Sequence, residues 1–363
     1  MSRDDEQYIE RCFELARRGM GRVSPNPLVG CVIVREGKLV AEGYHQRFGG
    51  PHAEVLALQK AGKKARGATL YVNLEPCSHH GKTPPCTEAI IAAGVKRVVA
   101  STKDPNPLVA GSGFEKLRKA GIQVHVGVLR NEAEELNEKF VTFMKTGFPF
   151  VGVKVAQTLD GKIADSFGRS KWITDEEART YAHQLRTEYD AILVGAGTVQ
   201  RDDPQLTVRK VQGRNPLRVV LDGRLSVKPN AKVFKTRNAQ TIVLTSTLAM
   251  KKYPRKVGQL TMRGVDVLSV ERNTDLDPKA VLAVLGEMNI SSVLVEGGAH
   301  TISRFLEEGL VQKVHCFIAP KILGAGLEGW KLHGGRRLSQ SIPLKNVKLR
   351  MVGKDLLLEG RIS

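Results

Sequence analysis

His52-Ala53-Glu54 and Glu75-Pro76-Cys77-Ser78-His79-His80-Gly81-Lys82-Thr83-Pro84-Pro85-Cys86 decide how this 363-residue chain is understood. Together they offer one imidazole, two thiols and a carboxylate left over. A hydrolytic zinc site needs three protein ligands, a fourth position open to water and a base beside it. His52, Cys77 and Cys86 meet the first need and Glu54 the last. His52 to Ala61 reads as a helix with Val55, Leu56, Leu58 and Ala61 available for burial. Residues 52 and 54 are about 200° apart around a helix, so both reach one ion only if it lies over the N-terminal end. Pro84-Pro85-Cys86 reads as a second helix start, since proline suits a first turn. Two positive helix ends would then face the metal and favour thiolates. The bland alternative is a buried cysteine pair beside a surface histidine. Pro-Cys and a second Cys downstream of His-x-Glu weigh against it.

Outside this stretch the composition is globular, with 41% hydrophobic and 26% charged residues. The length favours two domains. No apolar run approaches the ~20 residues of a membrane span, and Met1-Ser2-Arg3-Asp4-Asp5-Glu6 is too polar for a secretory signal. Cys12, Cys31 and Cys316 lie in apolar surroundings and read as small core residues, which fits a reducing cytoplasm. The net charge is +19. Residues 1–147 carry 22 basic against 16 acidic residues, and the remainder 34 against 21. The basic residues are scattered and no aromatics alternate with them, as a single-strand groove would want. Phosphorylated small molecules account for part of the excess. No nucleic-acid partner and no membrane is expected, and a homo-oligomer is.

Asp4 to Arg18 is an amphipathic helix and Pro25-Asn26-Pro27 breaks the chain. Leu28 to Val34 and Leu39 to His45 form a hairpin around Arg35-Glu36-Gly37-Lys38. After the His52 helix come strand Ala68 to Leu74, the Cys77–Cys86 loop, helix Thr87 to Ala93 and strand Arg97 to Ser101. Helix Phe114 to Ala120, strand Gln123 to Val128 and one closing helix, Glu132 to Lys145, complete a three-layer α/β domain. Gly147-Phe148-Pro149 marks the boundary, giving domains 1–147 and 148–363. The second domain alternates again: strands at 150–157, 191–195, 217–222, 241–245, 293–296 and 314–319, helices at 175–188, 278–288 and 300–308. Two strands near 345–352 and 355–362 end its sheet.

His-x-Glu followed by Pro-Cys and a further Cys is the signature of zinc deaminases acting on nucleobases, in which the Glu moves protons and is not a ligand. The usual nucleoside-deaminase pattern has Cys-x-x-Cys, whereas eight residues separate Cys77 from Cys86. Those eight, Ser78 to Pro85, resemble the deaminase half of the bifunctional riboflavin-pathway deaminase/reductase family. The resemblance implies a cytidine-deaminase-like fold, one Zn2+ per chain on His52, Cys77 and Cys86, and Glu54 as catalytic acid/base. It also implies that Asn26, His45, His79, Lys82, Asp104 and Asn106 surround the pyrimidine and ribose phosphate of the substrate. On pattern alone, Pro25-Asn26-Pro27 and Asp104-Pro105-Asn106-Pro107 are rigid turns.

Val295-Glu296-Gly297-Gly298 before a helix, and Gly195-Ala196-Gly197-Thr198 after a strand, are weak phosphate-cradle signals taken singly. Both fall at strand C-terminal ends, where open α/β sheets bind ligands. With Lys154-Val155-Ala156, Leu159-Asp160-Gly161-Lys162, Ser170 to Thr174, Asp202-Asp203-Pro204, Leu206 to Arg209 and Asp222, they resemble the reductase half of the same family. That implies a dihydrofolate-reductase-like fold using NADPH. By the resemblance, Ala156, Trp172, Thr198, Asp202, Gly223, Gly298, Ala299, His300, Thr301, Ile302, Ser303 and Arg304 contact the cofactor. Lys154, Ser170, Arg186, Leu206, Arg209 and Glu296 contact the substrate. Arg186 and Arg209 suit a phosphate because the guanidinium fork matches its oxygens, and Lys154 or Asp202 would assist proton movement. The expected reaction is deamination of the phosphoribosylated diaminopyrimidine, then reduction of its ribosyl group to ribityl. The rival readings are a nucleoside or nucleic-acid base deaminase with an accessory binding domain, and a structural zinc protein with His79 or His80 as fourth ligand.

Overall fold

Ile9, Cys12, Phe13, Leu15 and Ala16 recur on one side of helix α1 (Arg3–Arg17), and all are buried. They cover one face of a sheet whose other face is covered by α2 (Ala53–Ala61), α3 (Cys86–Ala92) and α4 (Ser112–Lys119). The computed structural model describes residues 3–79, 84–106, 109–235, 238–271, 273–332, 334 and 336–362. The chain divides into two compact units, Met1–Gly147 and Phe148–Ser363.

In the first unit the strands are β1 (Gly30–Arg35), β2 (Lys38–Tyr44), β3 (Thr69–Val72), β4 (Arg97–Ala100) and β5 (Gln123–Val126), in the order β2-β1-β3-β4-β5. β1 runs antiparallel to β2 and β3, and β3, β4 and β5 are parallel. Glu36 and Gly37, with φ of 53° and 72°, make the tight turn of the opening hairpin. A Cβ on Gly43 would lie 2.4 Å from Ala53 O. This bare spot lets the first turn of α2 rest directly on β2, which fixes where His52 and Glu54 stand.

The single closing helix expected at 132–145 is two helices, α5 (Arg130–Leu136) and α6 (Glu138–Thr146). Asn137 between them is buried because its side chain pairs with Leu28 as a strand would. Its Oδ1 accepts from Leu28 N at 2.8 Å and its Nδ2 donates to Leu28 O at 3.0 Å. That demand on one asparagine outweighs helix continuity and anchors the loop bearing Asn26.

The second unit contains β6 (Phe150–Thr158), β7 (Lys162–Asp165), α7 (Glu176–Glu188), β8 (Ala191–Gly195), α8 (Ala196–Asp202), β9 (Leu217–Leu221) and α9 (Lys232–Lys235). It continues with β10 (Thr241–Ser246), α10 (Thr247–Lys252), α11 (Pro254–Thr261), β11 (Val265–Glu271), α12 (Pro278–Glu287), β12 (Ser292–Val295) and α13 (Ala299–Glu307). It ends with β13 (Lys313–Ala319), β14 (Gly326–Glu328), β15 (Leu344–Val352) and β16 (Asp355–Ile362). The main sheet runs β11-β10-β9-β8-β12-β6-β13-β16-β15. The first seven are parallel, and β16 and β15 append an antiparallel hairpin. β8 is apolar throughout, as two covered faces require, and β6, β9 and β12 are apolar runs broken by Lys154, Arg218 and Ser292. β11 was not anticipated from the sequence, nor were the short β7 and β14, which pair with each other outside the main sheet.

Candidate active sites

The first site forms where two helices begin. His52 is the N-cap residue of α2, and Cys86 is the first residue of α3, with Pro85 as its N-cap. His52 Nδ1 lies 3.2 Å from Cys86 Sγ and 3.5 Å from Cys77 Sγ. The three donor atoms fall within 4.8 Å of one another. The backbone N–H of Cys86 donates to Cys77 Sγ at 3.3 Å. Hydrogen bonds from the Cys86 thiol and from His52 hold Cys77 well below the usual thiol range, and Cys86, which keeps the proton, is pushed up. Hydrogen bonding to Cys77 raises His52.

Glu54 is buried in the first turn of α2, and burial lifts its carboxyl to about 6. His45 stands edge-on to His52, with ring centroids 5.5 Å apart. Its Nδ1 lies 3.0 Å from Pro51 O and its Nε2 3.1 Å from Asn26 Nδ2. The carbonyl can only accept and the amide nitrogen can only donate, so the ring is neutral with its proton on Nδ1. Burial lowers its pKa in the same sense.

On the other side of Cys77, burial raises Asp104, whose Oδ1 accepts from Asn106 N at 2.9 Å. His79 is exposed. Lys82 lies outside the described residues. The structure thus joins Asn26, His45 and His52 through adjacent rings and one amide, and gathers Asp104 and Asn106 in one turn. Glu75, a residue without an expected role, hydrogen-bonds to that turn: Asp104 N donates to its Oε2 at 3.0 Å.

The second site is a cavity of about 760 Å³ at the C-terminal ends of the parallel strands. Ser170, Thr198, Asp202, Gly223, Gly298, Ala299, His300, Thr301 and Arg304 line it. The glycines have steric reasons. A Cβ on Gly195 would lie 2.6 Å from Thr301 Oγ1, and one on Gly297 2.9 Å from Thr198 Cγ2. Gly298 has φ +66°, and a Cβ on Gly223 would lie 1.9 Å from Thr274 O. The two turns judged weak singly are therefore meshed with each other. Thr274 to Leu276, Gly326 to Glu328 and Lys331 also line the cavity, and nothing in the sequence marked them. Four expected cofactor residues stand apart from its lining. Ile302 and Ser303 face the core, Ser303 Oγ accepting from Lys331 N at 2.9 Å. Ala156 packs in the strand interior. Trp172 is 65% exposed, with the Arg179 guanidinium 4.4 Å from its ring centroid.

A buried ionic cluster is assembled from distant segments. Glu296 receives both arms of Arg186 at 2.8 Å and Lys154 Nζ at 3.3 Å. Burial alone would raise Glu296, but the two cations win and hold it down to about 2. The Arg186 fork, expected to take a phosphate, is thus occupied by a carboxylate. Arg186 also donates to Thr207 O at 3.1 Å, and Arg209 Nη1 donates to Thr207 Oγ1 at 2.8 Å. Leu206 is buried at φ 56° in the same turn, and Ser170 Oγ donates to Asp202 Oδ1 at 3.3 Å. His183, unmarked in the sequence, accepts from Arg209 N at 3.1 Å. Burial and the neighbouring arginines lower it to about 4, so it is a neutral acceptor.

Comparison with known proteins places both units. The cytidine and deoxycytidylate deaminase zinc-binding region matches residues 2–102, and the RibD C-terminal domain matches residues 149–358. The riboflavin biosynthesis protein RibD of Aquifex aeolicus is 49% identical over 355 residues, covering 98% of this chain and 97% of its own. That of Escherichia coli is 43% identical over 368 residues, covering 98% of each. Acinetobacter baumannii RibD superposes with a TM-score of 0.90 at 38% identity, covering 99% of both chains. A diaminohydroxyphosphoribosylaminopyrimidine deaminase/5-amino-6-(5-phosphoribosylamino)uracil reductase from Thermotoga maritima gives 0.86 at 46% identity, again covering 99% of both. With a cytidine-deaminase-like first unit and a dihydrofolate-reductase-like second, the chain belongs to the RibD family of bifunctional riboflavin-biosynthesis deaminase/reductases.

Proposed function

We propose that the first unit deaminates 2,5-diamino-6-(5-phosphoribosylamino)pyrimidin-4(3H)-one to the aminouracil. The second unit then reduces the ribosyl group to give 5-amino-6-(5-phosphoribitylamino)uracil. The observation that carries this is the convergence of His52, Cys77 and Cys86 beside a buried Glu54. Tetrahedral zinc with bonds of about 2.0–2.3 Å sets its donors about 3.5–3.8 Å apart. The edges at His52, 3.5 and 3.2 Å, lie at the lower end of that range and slightly below it. Three protein donors leave a fourth position open, which argues against a purely structural metal. One zinc ion per chain fits this donor set, and when bound it activates water at neutral pH. NADPH, a source of hydride, fits the cavity, where Gly197 has open space around it and α13 presents backbone N–H groups.

Glu54 accepts the proton of the attacking water and passes it to the ring nitrogen, then takes the proton of the added hydroxyl and delivers it to the amine, so that a carbonyl forms as ammonia leaves. A carboxyl at about 6 exchanges protons readily near neutrality. Neutral His45, Asn26, His79, Lys82, Asp104 and Asn106 hold the pyrimidine and its ribose phosphate. In the second unit, Lys154 and Glu296 orient the sugar and Arg209 takes the phosphate. Arg186 serves them indirectly, by holding Glu296 and Thr207. Ser170 and Leu206 complete the substrate side. Thr198, Asp202, Gly223, Gly298 to Thr301 and Arg304 hold the cofactor, with Ala156, Trp172, Ile302 and Ser303 in support. The Lys154 ammonium can donate a proton to the reduced substrate, and Asp202 is the other candidate for that role. Five free cysteines and no helix long and apolar enough to cross a membrane, among the described residues, fit a cytoplasmic setting.

The test is to supply the diamino substrate with and without NADPH and identify the products. Ammonia and the ribosylaminouracil are expected without NADPH, and the ribityl compound with it. Ammonia release from cytidine or tRNA instead would favour the base-deaminase reading.

A further inference from the structure

Glu75 is buried, lies two residues before Cys77 and takes no part in the chemistry above. Its carboxylate nevertheless accepts four backbone N–H groups. Oε2 accepts from Asp104 at 3.0 Å and Gly111 at 2.9 Å, and Oε1 from Gly113 at 2.9 Å and Phe114 at 3.3 Å. Its own N–H donates to Thr102 O at 3.0 Å. Gly111 is the N-cap residue of α4, at φ +89°, and no side chain of that helix caps it. Gly113 and Phe114 belong to the first turn, whose N–H groups have no partner within a helix. The side chain therefore ties together the Asp104 turn and the start of α4, its own backbone N–H holds the segment after β4, and both are fastened to the metal-ligand segment. The fit is close, since a Cβ on Gly113 would lie 2.1 Å from Pro76 O. Asp104 in turn holds Asn106.

We propose that Glu75 is a positioning residue for deamination: by clamping four backbone N–H groups it fixes Asp104 and Asn106 at their working distance from His52, Cys77 and Cys86. This rests on the reading that Asp104 and Asn106 contact the substrate of the first unit. A carboxylate alone can serve all four donors. An isosteric carboxamide keeps one acceptor oxygen and turns an NH2 group toward the other pair, so two of the four bonds are lost.

The test uses the full-length, zinc-loaded chain. Glu75→Gln should keep one zinc per chain and unchanged reduction of the deaminated intermediate. It should raise the KM for the diamino substrate about tenfold, with a smaller effect on kcat. Asp104→Ala should also raise KM, and the double variant Glu75→Gln/Asp104→Ala should be little worse than Asp104→Ala alone, because both changes act through one contact. Additive losses, or a lowered Tm with unchanged KM, would overturn the proposal. Should Glu75→Gln lose zinc, Glu75→Asp decides, since it keeps the charge and draws the carboxylate back by one methylene. Zinc retained with a raised KM supports the proposal; unchanged KM, or loss of zinc in this variant too, overturns it. A wild-type chain that releases no ammonia from the diamino substrate brings down the functional reading itself, which the variants alone cannot do.

Discussion

The two active sites are built in opposite ways. In the deaminase unit the candidate metal donors and the proposed proton carrier, Glu54, come from two short stretches, 52–54 and 75–86, set at the starts of α2 and α3. In the reductase unit, Lys154, Arg186, Thr207, Arg209 and Glu296 come from β6, α7, a loop and the end of β12. The first kind of site is a local device whose parts fail outright when removed. The second is a mesh in which each part supports another, so single losses should be graded. Substitutions can break or sharpen that contrast.

The largest effect should come from Cys86→Ala. Two donors cannot hold the metal as three do, so zinc and deamination should vanish together while NADPH oxidation with the deaminated intermediate persists. Metal analysis beside an ammonia assay checks this, and stoichiometric zinc in the variant would refute the ligand assignment.

Glu54→Gln should come next, keeping zinc and fold but slowing ammonia release by about 10²–10⁴-fold, the usual cost of losing a positioned acid/base.

For the reductase unit, Glu296→Gln leaves Arg186 buried without its counter-charge, which typically costs about 3–5 kcal/mol. The same group predicts a pH dependence. Its folded pKa of about 2 lies below the unfolded value of about 4.3. Its contribution is therefore complete above about 4.3 and is lost as pH falls toward 2. Thermal melts of the wild type should show an acid limb in that window which the Gln variant lacks. Parallel curves would mean that Glu296 is not charged by its neighbours.

Gly298→Val should follow, because a branched side chain cannot easily adopt φ +66° and would crowd Thr198 Oγ1. The KM for NADPH should rise strongly while zinc content and deamination stay intact. The smallest effect is expected from Arg209→Ala, which should weaken the phosphorylated substrate by about tenfold and barely alter NADPH binding. The reverse pattern in separate titrations would exchange the two subsites.

The contrast also accounts for what the sequence could tell. The convergence of His52, Cys77 and Cys86 at two helix starts was legible because metal chemistry restricts both residue type and spacing. The alternation of strands and helices was legible because buried parallel strands leave apolar runs. Glu75 and Asn137 escaped because each works through backbone N–H and C=O groups far away in sequence, and any segment offers those. The pairing of Arg186 with Glu296 was hidden for a related reason: phosphate and carboxylate look alike to a guanidinium, and only the fold brings Glu296 within 2.8 Å. His183 shows the same limit, since its acceptor role depends on burial that no spacing reveals.

The meshing of the Gly195 and Gly297–Gly298 turns has a consequence for how this enzyme can change over time. Thr301 stands over Gly195, and Thr198 over Gly297, so each turn supplies the threonine that fills the bare spot of the other. About a hundred residues of chain separate the two halves of this lock. A chimera of two related enzymes joined between residues 198 and 297 would inherit one half from each parent. Where the parents differ in the size of either partner, the offspring would collide or gape at the wall of the cavity, though every segment is native to its source. The two turns should therefore travel through descent as a matched pair.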